Sequence, residues 1–165
     1  MKKSRPAETR KNRAPANFVP VVSAAHEPLT PTKKIAMTRD QIRNYIDHLG
    51  VASRIDDDGD IVVVLDADQD FGHNVTIWVL VSENRLSFIA NAEGYRPQGD
   101  LLYIANRHND RRNYPTAVVR GEEVRFEYSF FISEEVSDEY ITNCIRTTMS
   151  SVWSGFRDLE KETLQ

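Results

Sequence analysis

The sequence predicts an α+β fold, a two-layer sandwich in which helices cover one face of an antiparallel sheet. Three observations predict it. From Val51 to Glu93 the chain is dense in β-branched residues and is broken by short polar turns, the pattern of consecutive hairpins. Residues 123–132, "EVRFEYSFFI", alternate: Val124, Phe126, Tyr128, Phe130 and Ile132 face one way, and Glu123, Arg125, Glu127 and Ser129 the other, so one side of this strand meets water. Three segments with helical apolar spacing sit before, between and after the strands, in the order α-β-β-β-β-α-β-β-α.

Each element has its own signal. "MTRDQIRNYIDHLG" opens on Thr38 and Gln41, the spacing of a capping box, and places Ile42, Tyr45, Ile46 and Leu49 on one helical face before Gly50. "VASRID" and "DIVVVLD" flank a tight turn at Asp57–Gly59, and "HNVTIWVLVS" and "RLSFIANAE" flank one at Glu83–Asn84. Asp100 is a natural N-cap for a helix through "LLYIANRHNDRR". "PTAVVRG" and "EVRFEYSFFIS" form the last two strands around "RGEE". The final helix runs from about Ser137 to Lys161, with Ile141, Ile145, Thr148, Val152, Phe156 and Leu159 in one stripe, adjoined by Cys144 and Gly155.

Residues 1–37 read as a disordered basic leader. They hold several prolines, no periodicity, and eight Lys/Arg against two Glu. Residues 38–165 form the domain, with thirteen basic residues against twenty-three acidic ones. A basic leader on an acidic body reads first as a solvated tail that also contacts its own acidic domain, and as an alternative it can bind nucleic acid or an anionic membrane. The leader offers only Phe18 for stacking, so nucleic acid is the secondary expectation. Its apolar run "NFVPVVSAA" is interrupted by Pro20 and is too short for a secretory signal, and no stretch suits a membrane span. Cys144 is the single cysteine, which excludes an intramolecular disulfide and fits the cytoplasm.

The densest candidate chemistry is "SRIDDDGDIVVVLDADQDFGH", with seven aspartates between Ser53 and His73. A calcium loop needs glycine at its sixth position and Glu at its twelfth. Aligning Gly59 puts Arg54 first and Leu65 last, and aligning Asp66, Asp68 and Asp70 puts Phe71 and Ile77 at those two positions. The "DFG" at Asp70–Gly72 lacks the lysine and catalytic loop of a kinase, and no lysine occurs between Lys34 and Lys161. Asp and Gly at these points suit turn geometry, so the aspartates read as acidic turns, with weak divalent-ion binding left open. His26, His48, His73 and His108 show no ligand spacing, and Cys144 sits on a helical stripe. Glu134–Glu135 fit the acidic lead-in to a helix, and Arg111 and Arg112 either bind an anion or close a helix end. No catalytic, cofactor-binding or metal-binding residue is expected.

"LLYIANRHNDRRNYPTAVVRGEEVRFEYSFFISEEVSDEYITNCIRTTMSSVWSGFRDL" combines several patterns. A helix carries Asn106 and Asn109 around His108, a hairpin follows with "VRFE" in its second strand, and "SEEVSDE" opens a long helix. With "LGVASRIDDDGDIVV", this resembles the YbjN family of bacterial sensory-transduction regulators, over residues 38–161. The resemblance implies a type III secretion chaperone-like fold, no catalytic residues, and a homodimer that holds a protein partner. The residues add an apolar excess. Trp78 and Leu80 lie on one face of their strand, with Val75, Ile77, Val79 and Val81 on the other, and Phe131 breaks the polar phase of its own. The expectation is a non-catalytic regulatory or protein-binding module with Trp78, Leu80 and Phe131 at an interface. The alternatives are a ligand- or divalent-ion-responsive sensor or enzyme built on the acidic loops, and nucleic-acid binding through the leader.

Overall fold

A computed structural model describes residues 37–132 and 136–163. The leader through residue 36 and the pair Glu134–Glu135 lie outside the described residues. The elements are α1 (Arg39–His48), β1 (Ser53–Ile55), β2 (Ile61–Leu65), β3 (Val75–Ser82), β4 (Arg85–Ala92), α2 (Leu101–Arg111), β5 (Thr116–Arg120), β6 (Glu123–Phe131) and α3 (Asp138–Thr163). This is the α+β order expected from the sequence. The strands form one six-stranded sheet, β1-β2-β3-β4-β6-β5, in which every neighbouring pair is antiparallel.

Local chemistry starts each helix. Both halves of the α1 capping box are present: the Gln41 amide donates to Thr38 Oγ1 at 3.2 Å, and the Thr38 amide donates to Gln41 Oε1 at 2.8 Å. Asp100 caps α2 by accepting the amides of Leu102 and Tyr103, and the Ser137 hydroxyl accepts the amide of Tyr140 in the first turn of α3. Each such cap contributes about 1 kcal/mol by satisfying an amide that has no intrahelical partner.

All three helices pack on the same side of the sheet. Ile42 and Ile46 of α1, Ile104 and Ala105 of α2, and Ile141, Ile145, Val152, Phe156 and Leu159 of α3 share one core with Val75, Ile77 and Val79, Leu86, Phe88 and Ala90, and Val124 and Phe126. The centre is aromatic. Phe156 meets Phe126 edge-on with ring centroids 4.7 Å apart, and Phe71 stacks on Phe156 at 6.0 Å while its edge meets Trp153 and Tyr95. α3 approaches β6 closely enough that a Cβ on Gly155 would stand 2.8 Å from the Phe126 ring.

Side chains also lock the helices to their neighbours. Asn109 of α2 brackets Ala117 of β5: its Nδ2 donates to the Ala117 carbonyl at 3.0 Å, and its Oδ1 accepts the Ala117 amide at 2.8 Å. Tyr45 of α1 donates to Asp138 of α3 at 2.7 Å. That bond, with a lesser share from burial, raises the Tyr45 phenol to about 12. Arg111 and Arg112 pair with Glu162 and Asp158 of α3, so the charged end of α2 is closed by carboxylates of its own chain.

Candidate functional site

The β3 sequence "VTIWVLVS" places Val75, Ile77 and Val79 in the core and Trp78 and Leu80, both half-buried, on the opposite side of the sheet. No helix contributes to the core from that side among the described residues. Register fills in the rest of this open face. Trp78 stands between Val62 of β2 and Ile89 of β4, Ile89 pairs with Glu127, and Leu80 pairs with Ser87, which meets Ser129. Trp78, Leu80 and Ile89 line a hollow of about 300 Å³ together with Asp60, Asn91 and Arg125. Phe131 shares the face but lies outside the hollow, paired with Arg85 and 75% exposed. Thus Trp78 and Leu80 are brought together, and Phe131 stands apart at one end of the same surface.

The charges on this face are unevenly satisfied. Glu123 accepts from Asn91 and pairs with Arg96, each at 2.9 Å, and Glu127 lies 3.7 Å from Arg120. Arg54, which pairs across strands with Val62, and Arg85 and Arg125 have no side-chain partner among the described residues, and Nε of Arg125 is buried without a hydrogen bond. Burial raises Asp60 above the usual carboxylate range, helped by the nearby charges of Asp56 and Asp58 and opposed by Arg39. Ile89 and Arg125 were absent from the sequence expectation. Ile89 carries the same signal as Phe131, an apolar residue in the polar phase of its strand. Arg125 gains importance only from which carboxylates its neighbours have already engaged.

The seven aspartates between Ser53 and His73 lie in the connections on either side of β2. Asp56 accepts the Asp60 amide at 2.8 Å across a turn in which Gly59 has φ +83°. Asp68 accepts the amides of Asp70 and Phe71 at 2.8 and 2.9 Å, and Asp70 pairs with Arg157 of α3. That turn aims Phe71 into the core. Among the described residues, no three His, Cys, Asp or Glu side chains gather as a metal ion would require.

A second hollow, of about 610 Å³, lies between the ends of α2 and α3 and is lined by His108, Arg111, Arg112, Asp158, Lys161 and Glu162. His108 is buried against Phe126, with ring centroids 4.8 Å apart, and its Nε2 has no hydrogen-bond partner among the described residues. Burial holds its imidazole below the usual value near 6.5, although the Pro115 carbonyl and the carboxylates of Asp158 and Glu162 act the other way. No described helix is long and apolar enough to cross a membrane. The chain matches no known protein-family model and no curated protein.

Proposed function

We propose that this domain is a non-catalytic protein-binding module, adaptor-like or chaperone-like, whose contact surface is the open face of the sheet. One observation carries the reading: Phe131 is 75% exposed on the same face as the half-buried hollow of Trp78, Leu80 and Ile89. Large aromatic and aliphatic side chains gathered on one uncovered surface mark an interaction site, and buried aromatics dominate the energy of such interfaces. The resemblance of residues 38–161 to YbjN-type sensory-transduction regulators supports a regulatory role in a bacterial cytoplasm, where a lone thiol such as Cys144 stays reduced. The homodimer implied by that resemblance would be built on this face and would bury Trp78 or Phe131.

The divalent-ion reading has less support, because Asp56 and Asp68 accept backbone amides and Asp70 pairs with Arg157. The test uses the full chain and its Trp78→Glu and Phe131→Glu variants. Sedimentation across micromolar concentrations reads the dimer, and affinity capture from the native cytosol reads other partners. Both variants are expected to remain folded and to lose the partner or the dimer. If they capture and sediment as the wild type does, the open face is not the binding surface.

A further inference from the structure

We infer that the occupant of the open face is an acidic amphipathic polypeptide segment, whose apolar side chains enter the Trp78–Leu80–Ile89 hollow while its carboxylates meet Arg54, Arg85 and Arg125. This rests on the protein-binding reading above and names the chemistry of the partner. Among the described residues, the surface holds three arginines without side-chain partners and an apolar floor. Glu123 and Glu127 are engaged by Arg96 and Arg120, so the charge left over is positive. Asp60 is the one acid of the hollow outside an ion pair, and its partial burial already disfavours its charged form. Arg125 lines the hollow, where its guanidinium offers charge-assisted hydrogen bonds to a carboxylate.

Spacing excludes a single small anion. Arg54 lies on β1 and Arg125 on β6, four strand intervals apart in the sheet order, or about 19 Å at 4.8 Å per interval. An extended or helical segment spans that width, and its apolar residues fill the aliphatic floor between. A polynucleotide is the poorer fit. Residues 38–165 carry twenty-three acids against thirteen bases, which repel a long phosphate backbone beyond the face. A second copy on this face is the competing occupant, and the dimer measurement below decides between the two.

The test selects peptides of about sixteen residues from a random displayed library on the immobilised full chain, then measures one synthetic peptide by fluorescence titration. The enriched peptides are expected to carry two or more large apolar residues and a net negative charge. Reversing Arg54, Arg85 and Arg125 to Glu should weaken binding at least tenfold, and a Glu→Lys version of the peptide should recover it on that variant. If the triple variant fails to fold, Arg85→Glu and Arg125→Gln are read singly. Neutral or basic enriched peptides, or binding indifferent to the arginines, overturn the acidic inference while leaving the protein-binding reading intact, provided that Trp78→Glu still abolishes binding. Binding indifferent to Trp78→Glu and Phe131→Glu, or no enrichment at all, overturns both. A dimer that Phe131→Glu dissociates, or single-stranded DNA that displaces the peptide at lower concentration, assigns the face to another occupant and overturns the inference.

Discussion

Gly155 shows how one hydrogen atom sets a distance between layers. Glycine inside a helix costs about 1 kcal/mol relative to alanine, so Gly155→Ala would stabilise an isolated α3. Here the new methyl meets the Phe126 ring, which is itself held by Phe156 and His108. Overpacking of this kind costs about 1–3 kcal/mol, so Gly155→Ala is expected to lower the urea midpoint, and Phe126→Leu in the same chain should recover part of the loss. The sequence shows Gly155 only as a neighbour of the α3 stripe, because the close approach arises where α3 crosses β6. Gly59 is a contrasting case, legible from "DDDGD" alone. Its φ of +83° and the Arg39 guanidinium packed above it make Gly59→Val costly, whereas Asp57→Asn on the exposed turn is expected to stay within about 0.5 kcal/mol of wild type by chemical denaturation. His108 adds a pH dependence. An imidazole held below 6.5 in the fold takes up its proton later than in the unfolded chain. Its contribution is therefore complete above about pH 6.5 and is lost as the pH falls through the folded value, at up to about 1.4 kcal/mol per pH unit. His108→Phe is expected to flatten the decline in unfolding free energy from about pH 7 to pH 5, and an unchanged slope would assign the decline to other groups.

At the scale of elements, the sequence exposes what is local. Capping residues lie within three positions of the helix they start, so Thr38, Gln41 and Asp100 were readable in advance. Period two placed Trp78 and Leu80 opposite Val75, Ile77 and Val79, and it marked Phe131 as out of phase. Contacts between elements were not readable. The physical role of Asn109 is to bracket Ala117 and hold β5 beside α2. Asn109→Ala leaves a backbone amide and carbonyl without these partners and is expected to cost about 1–3 kcal/mol, with hydrogen exchange accelerated first in Thr116–Arg120. Phe71 lies among aspartates in the connection between β2 and β3, where no periodicity signals burial. It is fully buried because the Asp68 turn aims it between Tyr95, Trp153 and Phe156, and Phe71→Ala is expected to cost about 3–5 kcal/mol in calorimetry. The same limit applied to the candidate site. Which arginines lack partners depends on cross-strand register, and a single strand does not reveal that.

At the scale of the whole molecule, charge and layering divide the surface. Residues 38–165 are strongly acidic in composition, yet among the described residues the face without helices keeps three arginines unengaged. Met37 packs against the core, and the sequence before it shows neither helical nor strand periodicity. A chain beginning at Ala36 is therefore expected to unfold within about 0.5 kcal/mol of the full chain, and a loss of several kcal/mol would make the leader part of the core. α3 follows all six strands in the chain, which matters during biosynthesis. Every strand is made before Phe156 and Leu159, the side chains that complete the aromatic centre. A nascent chain that has reached Ile132 holds all six strands, but with α3 not yet made it leaves Phe71 and Phe126 without Phe156 on one side while Trp78 and Phe131 remain bare on the other. Such a sheet exposes apolar surface on both faces, so the time between finishing β6 and finishing α3 is when this protein is most prone to aggregate.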